Sequence, residues 1–315
     1  MGRAVRGGAG PIRHAHLVRP ERVYRFYRGG ALIDRLRGEP EQDDEFPEDW
    51  VGSVTRASNP GRDEPDAGLA RLADGRLLRD AVAEDPVYWG TPQVLVKLLD
   101  PADRLPVHAH PSRAFAREHL GSEFGKTEAW IFVDARDGES EAWLGLKEAV
   151  EPGQYREWLE RQDVDALLGS LNRITVKPGD VLFVPAGVPH AIGGGALIVE
   201  LQEPSDFSIV CEWKGFPISA GDAHLGLGWD VALGALDLGP FTPSLGLPPE
   251  AREFFDVDDR AEPAGRFAVL LVLEGEGAID GQPARAGDAF VLPAGSESLD
   301  VRGDLRVLRC LGGTP

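Results

Sequence analysis

The sequence predicts a mainly β protein with a small helical insertion, built from two antiparallel β-barrels of the jelly-roll type. Most of the chain consists of short runs of β-branched and aromatic residues separated by Gly and Pro. In addition, the segment 178-PGDVLFVPAGVPH-190 recurs as 286-AGDAFVLPAGSES-298. Two copies of one turn–strand–turn unit indicate two barrels of the same kind. A chance similarity of two glycine-rich hairpins is the alternative.

The composition fits a two-domain globular protein of 315 residues with a formal net charge of −19. This acidity argues against nucleic acids and anionic membranes as partners, but it leaves room for an anionic small substrate. The longest apolar runs are too short to span a bilayer, and the N-terminus lacks the apolar stretch of a secretory signal. We therefore expect a cytoplasmic protein, a monomer or a homodimer. Cys211 and Cys310 are expected to be buried and reduced.

The N-terminal part predicts a tail followed by strands. Residues 1–20, rich in Gly, Arg and Pro, are expected to be a flexible tail, in which His14 and His16 meet only solvent. The next residues, from 21 to 215, are expected to form the first domain. Within it, the run 77-LLRDAVAE-84 predicts a short helix, and 93-QVLVKLLD-100 predicts a buried strand.

The apolar period changes at about 147–171, which predicts a helical insertion in the first domain. Pro152 can open a helix there, and Tyr155 and Leu159 share one of its faces. Residues 216–315 are expected to form the second barrel. Since Ser298 of the repeat stands where the first copy has His190, this barrel is expected to hold no metal.

Four side chains are candidates for metal ligands. Because residues two apart in a strand face the same side, His108 and His110 direct both imidazoles into one cavity. Glu128 lies inside an apolar strand, on the same face as Trp130, and a buried carboxylate there needs a partner. His190 follows the Pro-Ala-Gly turn of the first repeat copy.

Three imidazoles and one carboxylate suit Zn²⁺, Mn²⁺, Fe²⁺, Co²⁺ or Ni²⁺ and argue against Ca²⁺. The alternative is that these histidines are ordinary core or surface residues. Their order along the chain, with each group next to a predicted barrel turn, favours a single metal site.

Three segments resemble the small bacterial phosphomannose isomerases of the cupin type: 97-KLLDPADRLPVHAHP-111, 125-GKTEAW-130 and 178-PGDVLFVPAGVPHAIGGG-195. The resemblance runs from about Tyr24 to Asp206 and more loosely through the C-terminal barrel. It implies two cupin-like barrels, one zinc ion and the interconversion of mannose 6-phosphate and fructose 6-phosphate. By this resemblance His110, Glu128 and His190 are zinc ligands, and His108 occupies the site of the family's glutamine.

This reaction needs a group that moves a proton between C1 and C2 through a cis-enediol, beside a divalent ion that stabilises the developing charge. Lys126, on the same strand face as Glu128, could serve as the base or bind a phosphate. Glu200, in the strand after the His190 turn, is the second candidate for a catalytic residue.

Two departures from the family pattern bear on the substrate. Val210 stands where the family has an active-site arginine, and His108 adds an imidazole in place of glutamine. Arg104 or Arg113 could replace the lost positive charge, although each is also an ordinary candidate for a surface residue.

Three functions are therefore compatible with the sequence. The favoured one is a metal-dependent sugar or sugar-phosphate isomerase. A cupin oxidase or dioxygenase could use the same ligand set with iron, manganese or copper, and redox-inactive zinc would argue against it. A non-enzymatic carbohydrate-binding or regulatory protein would bind sugars without turnover.

Overall fold

The computed structural model describes residues 14–314 and contains three antiparallel sheets joined by loops and short helices. The strands are β1 (His16–Val18), β2 (Arg22–Val23), β3 (Glu48–Val51), β4 (Leu95–Leu99), β5 (His108–Ala109), β6 (Glu128–Ala135), β7 (Ser140–Leu146), β8 (Leu171–Val176), β9 (Val181–Val184), β10 (His190–Ile192), β11 (Ala196–Gln202), β12 (Ile209–Val210), β13 (Phe255–Asp258), β14 (Ala268–Ile279), β15 (Gln282–Arg285), β16 (Ala289–Leu292) and β17 (Val301–Gly312). The α-helices are α1 (Ala31–Arg37), α2 (Leu78–Glu84), α3 (Pro86–Trp89), α4 (Arg113–His119), α5 (Pro152–Arg161), α6 (Val164–Gly169), α7 (Ala220–Ala223) and α8 (Trp229–Ala232), and two 3₁₀-helices cover Leu233–Ala235 and Pro249–Glu253. None of the helices within residues 14–314 has the length and apolar character needed to cross a membrane.

The three sheets differ in their position along the chain. The first sheet has the order β2-β3-β4-β11-β6-β9, and the second has the order β12-β5-β10-β7-β8. The third has the order β1-β16-β14-β17-β13, with β15 paired to β14. Trp130 and Phe132 of the first sheet share one apolar cluster with Leu144 and Ile192 of the second, so these two sheets pack face to face.

The first sheet is covered on both faces, which explains the composition of its central strand. On one side, Val96 and Leu98 of β4 belong to a cluster that includes Val269 and Val291 of the third sheet. Every residue of β4 is buried, as predicted for the run 93–100. A strand buried on both faces is apolar throughout rather than alternating, and Lys97 is the one residue of β4 that departs from this.

The repeated segments adopt the same local structure. The second residue of each is a glycine in the left-handed region, with φ 96° at Gly179 and 86° at Gly287. Each glycine precedes a four-residue strand, β9 or β16, that ends at the Pro-Ala-Gly turn. A residue with a β-carbon would be strained at such a φ, so the turn itself explains the repeated glycine. The similarity is therefore one of backbone structure as well as of sequence.

The predicted helical insertion is present as α5 and α6. Tyr155 and Leu159 of α5 and Leu167 of α6 are fully buried and share a cluster with Leu146 of β7. The helix predicted at 77–84 is also confirmed, since it corresponds to α2.

The expectation of a flexible tail is wrong for residues 14–20. β1 pairs with β16 at the edge of the third sheet, and Val18 is buried there. His16 packs on Trp89, with 4.9 Å between ring centroids, instead of meeting only solvent. The edge strand β16 offers unpaired backbone groups, and β1 satisfies them. Residues 1–13 of the predicted tail lie outside the described residues.

The segment between the second and third sheets packs on the first domain. Trp229, Leu236 and Leu238 are partly buried against the cluster that contains α5 and α6. The predicted domain boundary at 215/216 stays a prediction, and these contacts favour a boundary nearer to the start of β13.

Candidate metal centre and adjoining cavity

Neighbouring short strands of the second sheet bring the three candidate histidines together. His108 on β5 is the register partner of His190 on β10 and, on its other side, of Val210 on β12. His110 follows two residues after His108 and so faces the same side. The ring centroids are 5.0 Å apart for His108–His110, 4.2 Å for His108–His190 and 4.9 Å for His110–His190.

Glu128, the first residue of β6, brings its carboxylate to this cluster from the first sheet. Its oxygens lie 3.2 Å from Nε2 of His110 and 3.4 Å from Nε2 of His190. Trp130 donates its indole N–H to Glu128 at 2.9 Å, which agrees with the predicted shared strand face. Lys126, two residues earlier, places Nζ 2.7 Å from both Glu128 Oε2 and His110 Nε2.

The hydrogen bonds of the imidazoles leave the Nε2 lone pairs free to bind a cation. Each Nδ1 lies 2.8–2.9 Å from a backbone carbonyl oxygen, those of Pro106, Phe207 and Val188 for His108, His110 and His190 in turn. A carbonyl can only accept, so Nδ1 carries the hydrogen and Nε2 keeps its lone pair. The Nε2 atoms of His108 and His190 nevertheless face each other at 3.0 Å. Two acceptors at this distance repel unless a positive ion lies beside them.

Electrostatics keep these groups in the forms that bind metals. Burial, and next the charge of Lys126, lower the pKa of His110 to about 3. Burial likewise lowers the pKa of His190 to about 3 and holds the pKa of His108 well below its usual value. Burial alone would raise the pKa of Glu128, but Lys126 and His110 outweigh it and the pKa falls well below its usual value. The cluster therefore offers three neutral imidazoles and one carboxylate at pH 7.

These donors fit a divalent transition-type ion. The three imidazole ligand atoms all lie within 4.8 Å of one another, and the carboxylate of Glu128 adds a fourth donor next to two of them. Nitrogen donors with a single carboxylate suit Zn²⁺ and its neighbours in the first transition row. The structure thus brings together all four residues that the sequence predicts as ligands, and their coordination of an ion stays a prediction.

A cavity of about 160 Å³ adjoins the cluster. His108, Lys126 and Glu200 line it together with Val210. Much of the remaining wall is apolar and consists of Phe26, Leu99, Leu105, Ile192, Ile218 and Leu225. The candidate ligands and both candidate catalytic residues are therefore next to, or part of, one cavity.

A buried ionic network forms another wall of the cavity. Glu200 of β11 contacts Lys97 of β4 at 3.1 Å, and Lys97 lies 3.7 Å from Glu48 of β3. Glu48 accepts a hydrogen bond from Arg25 at 2.9 Å, and Arg25 also contacts Asp206 at 3.0 and 3.2 Å. Three adjacent strands of the first sheet thus carry charges that compensate one another inside the protein.

Within this network the pKa of Glu200 is raised, first by burial and then by the negative charge of Glu128. Lys97 opposes this shift. Glu48 differs, because the charges of Arg25 and Lys97 overcome its burial and lower its pKa. Glu200 is therefore the carboxyl group of the cavity that holds a proton more readily than usual.

The arginine in the cavity wall is Arg25, which the sequence reasoning missed. Arg104 makes two 2.7 Å contacts with Glu212, and Arg113 lies 2.6 Å from Glu203. Neither of them lines the cavity, whereas Arg25 does. The hypothesis that Arg104 or Arg113 brings the positive charge is thus not supported by their positions. The signal available in the sequence was the run 22-RVYRFY-27. In an extended conformation Arg25 lies on the same face as Val23 and Tyr27, and so next to apolar and aromatic side chains.

Replacing Arg25 by methionine is expected to destabilise the protein by about 3 kcal/mol, because it leaves Asp206 and Glu48 buried with fewer partners. This is the lower end of the usual range, since Glu48 keeps its contact with Lys97. Urea denaturation of both proteins would measure the difference. Arg302→Met is the matched control, because Arg302 forms an exposed pair with Asp300 and should leave the unfolding midpoint nearly unchanged. Equal losses in the two variants would contradict a structural role for the network.

Comparison with known proteins gives several relatives. The chain is 36% identical over 137 residues to a probable mannose-6-phosphate isomerase from Bacillus subtilis, a match that covers 42% of each protein. It is 43% identical over 113 residues to mannose-6-phosphate isomerase from Streptococcus mutans, covering 36% of this chain and 34% of the relative. A longer match, 28% identical over 240 residues, covers 67% of this chain and 72% of Bacillus subtilis YvyI. The chain thus aligns with less than half the length of the first two relatives. No family model matches it.

Solved structures extend the likeness over nearly the whole chain. Mannose 6-phosphate isomerase from Bacillus subtilis superposes with a TM-score of 0.73 at 23% identity, covering 95% of this chain and 99% of the other. A variant of phosphomannose isomerase from Salmonella typhimurium superposes with a TM-score of 0.71 at 16% identity, covering 95% and 100%. These similarities confirm the predicted mainly β fold class.

Proposed function

We propose that this chain, which is related to the cupin-type phosphomannose isomerases as its three motifs predicted, is a metal-dependent aldose–ketose isomerase. The observation that carries the proposal is the convergence of three imidazole lone pairs and one carboxylate beside a cavity that Lys126 also lines. Metal ligands, a candidate proton carrier and space for a small substrate are combined there.

The proposed substrate is a sugar phosphate, and mannose 6-phosphate is the first choice, with fructose 6-phosphate as the product. The names of the relatives from Bacillus subtilis and Streptococcus mutans support this choice. The proposed metal is zinc, because imidazole and carboxylate are both zinc ligands and the resemblance to the phosphomannose isomerases implies zinc. A cytoplasmic location stays a prediction.

The residues of the cavity can carry the required proton transfer. An ion held by the four ligands would polarise the substrate carbonyl and stabilise charge on its oxygen. Lys126 lies beside this position, with Nζ 2.7 Å from Glu128, and borders the cavity where C1 and C2 of a sugar would meet it. As the free amine, Lys126 can take up the proton at one carbon and return it at the next, by way of a cis-enediol.

Glu200 is the second candidate for this role. Its raised pKa suits a carboxylic acid that donates a proton to a sugar oxygen and takes it back. Its contact with Lys97 holds the carboxyl group at the cavity wall. In this proposal Lys126 moves the carbon-bound proton and Glu200 serves the oxygens.

The test is an isomerase assay on purified protein with mannose 6-phosphate and unphosphorylated mannose in parallel. Protein stripped with a chelator and then dialysed should be inactive, and added Zn²⁺ should restore conversion of mannose 6-phosphate. Binding of sugars without turnover of any aldose or ketose would contradict the proposal and favour a recognition protein. Oxygen-dependent turnover with bound iron would contradict it in favour of an oxidase.

A further inference from the structure

Glu203 is a buried carboxylate just beyond the end of β11, and none of the roles proposed above uses it. Its side chain is 1% exposed. One oxygen accepts a hydrogen bond from the backbone N–H of Thr127 at 2.9 Å, and the other contacts Nε of Arg113 at 2.6 Å. A buried carboxylate held at both oxygens is rigid, because either bond is costly to break inside the protein.

The two partners of Glu203 belong to the two segments that supply the metal centre. Thr127 is the residue between Lys126 and Glu128, so its peptide orientation sets where both side chains point. Arg113 opens α4, three residues after His110. Glu203 thus joins the His110 segment to the Lys126–Glu128 segment.

The backbone of these two segments is in direct contact at the same place. The N–H of Lys126 donates to the carbonyl of Pro111 at 3.0 Å. A β-carbon at Gly125 would lie 2.6 Å from both Pro111 O and Arg113 N, so the approach requires glycine there. The Glu203 contacts therefore act on a junction that is already close and specific.

Arg113 extends the junction to the segment that leads into the third sheet. Its guanidinium lies 4.7 Å from the ring centroid of Phe254 and contacts both the side chain and the backbone carbonyl of Glu253 at 3.3 Å. Phe254 directly precedes β13. The contacts run without a break from Glu253 through Arg113 and Glu203 to Thr127.

We infer that Glu203 is a positioning residue of the metal centre and that Arg113 connects it to the segment that leads into β13 of the third sheet. Among the described residues, the Glu203 side chain makes no hydrogen bond to a candidate ligand and does not line the cavity; it acts by fixing the Thr127 peptide between Lys126 and Glu128. Residues that orient metal ligands from outside contribute about 10- to 100-fold to metal affinity or activity. The inference rests on the proposed metal site.

The test measures zinc affinity by competition with a chromogenic chelator, together with the visible spectrum of the Co²⁺-loaded protein. Glu203→Ala is expected to weaken zinc binding roughly tenfold and to shift the Co²⁺ absorption bands, because the Thr127 peptide next to Glu128 loses the side-chain hydrogen bond that helps to fix its orientation. Glu203→Gln keeps an acceptor for the Thr127 N–H and should restore most of the affinity. Arg117→Met is the matched control, since Arg117 on the same helix pairs with exposed Glu123 and should change neither quantity.

The outcomes separate this inference from the proposed function. Wild-type protein that binds no zinc would overturn the proposed metal site itself. Wild-type binding with an unchanged affinity and spectrum in Glu203→Ala would overturn only the inference. If Glu203→Ala does not fold, Arg113→Met takes over the test, because it removes the clamp on Glu203 and leaves the carboxylate in place. Wild-type affinity and spectrum in that variant would equally overturn the inference.

Discussion

Replacing His110 by alanine is expected to remove both bound metal and activity. The change deletes the imidazole that lies 3.2 Å from Glu128 and 2.7 Å from Lys126. Residues that only orient a ligand are worth about 10- to 100-fold, so loss of a ligand should reduce kcat/KM at least about a hundredfold. Metal content after dialysis against a zinc buffer, measured beside isomerase activity, checks both parts.

The change should act on the metal more than on the fold. His119→Ala is the control, since His119 lies at the end of α4, contacts Phe115 and lies outside the ligand cluster. It should keep wild-type metal content and activity. Unchanged metal content in His110→Ala would remove His110 from the proposed site, and with it the argument from converging lone pairs.

The site residues that were predicted from the sequence all lie in short segments whose conformation local rules can predict. His110 lies two residues after His108, just past the end of β5, and Lys126 lies two residues before Glu128, just ahead of β6. The period-two rule for extended chain therefore predicts that each pair faces one side. His190 follows a turn whose glycine and proline positions restrict the backbone. Local rules were sufficient for these residues because the chain between them is short or conformationally restricted.

The other features of the site and fold were not predicted because they depend on contacts between residues far apart in the chain. Arg25 contacts Glu48 and Asp206, which lie 23 and 181 positions away along the chain, and no local pattern indicates such pairs. The strand at 16–18 was likewise missed, since its partner β16 lies in the other half of the chain. A Gly-, Arg- and Pro-rich segment reads as a tail until the sheet edge that it completes is known.

The packing around the cavity explains how Val210 can stand where the family has an arginine. Val210 lines the cavity as the register partner of His108, so the side chain next to that candidate ligand is apolar. Arg25, held by Asp206, brings a guanidinium to the same cavity from the loop that follows β2. The positive charge that Val210 cannot provide is therefore present in the wall, but it is paired with carboxylates.

Replacing Lys126 by methionine should leave the metal in place and abolish most turnover. Methionine keeps much of the apolar stem and removes the ammonium group that lies 2.7 Å from Glu128. The four candidate ligands remain, so zinc content should equal that of the wild type. General acid–base catalysis is typically worth about 10²- to 10⁴-fold, and kcat should fall within that range.

A second substitution at the same position separates the two roles that Lys126 can play. Lys126→Arg keeps a positive charge but cannot act as a base, because arginine stays protonated in proteins. If Lys126 mainly binds an anion, Arg should restore KM for mannose 6-phosphate and much of kcat. If Lys126 moves the proton, KM should recover while kcat stays as low as in Lys126→Met. Full activity in Lys126→Met would exclude both roles and leave Glu200 as the remaining candidate for proton transfer in the cavity.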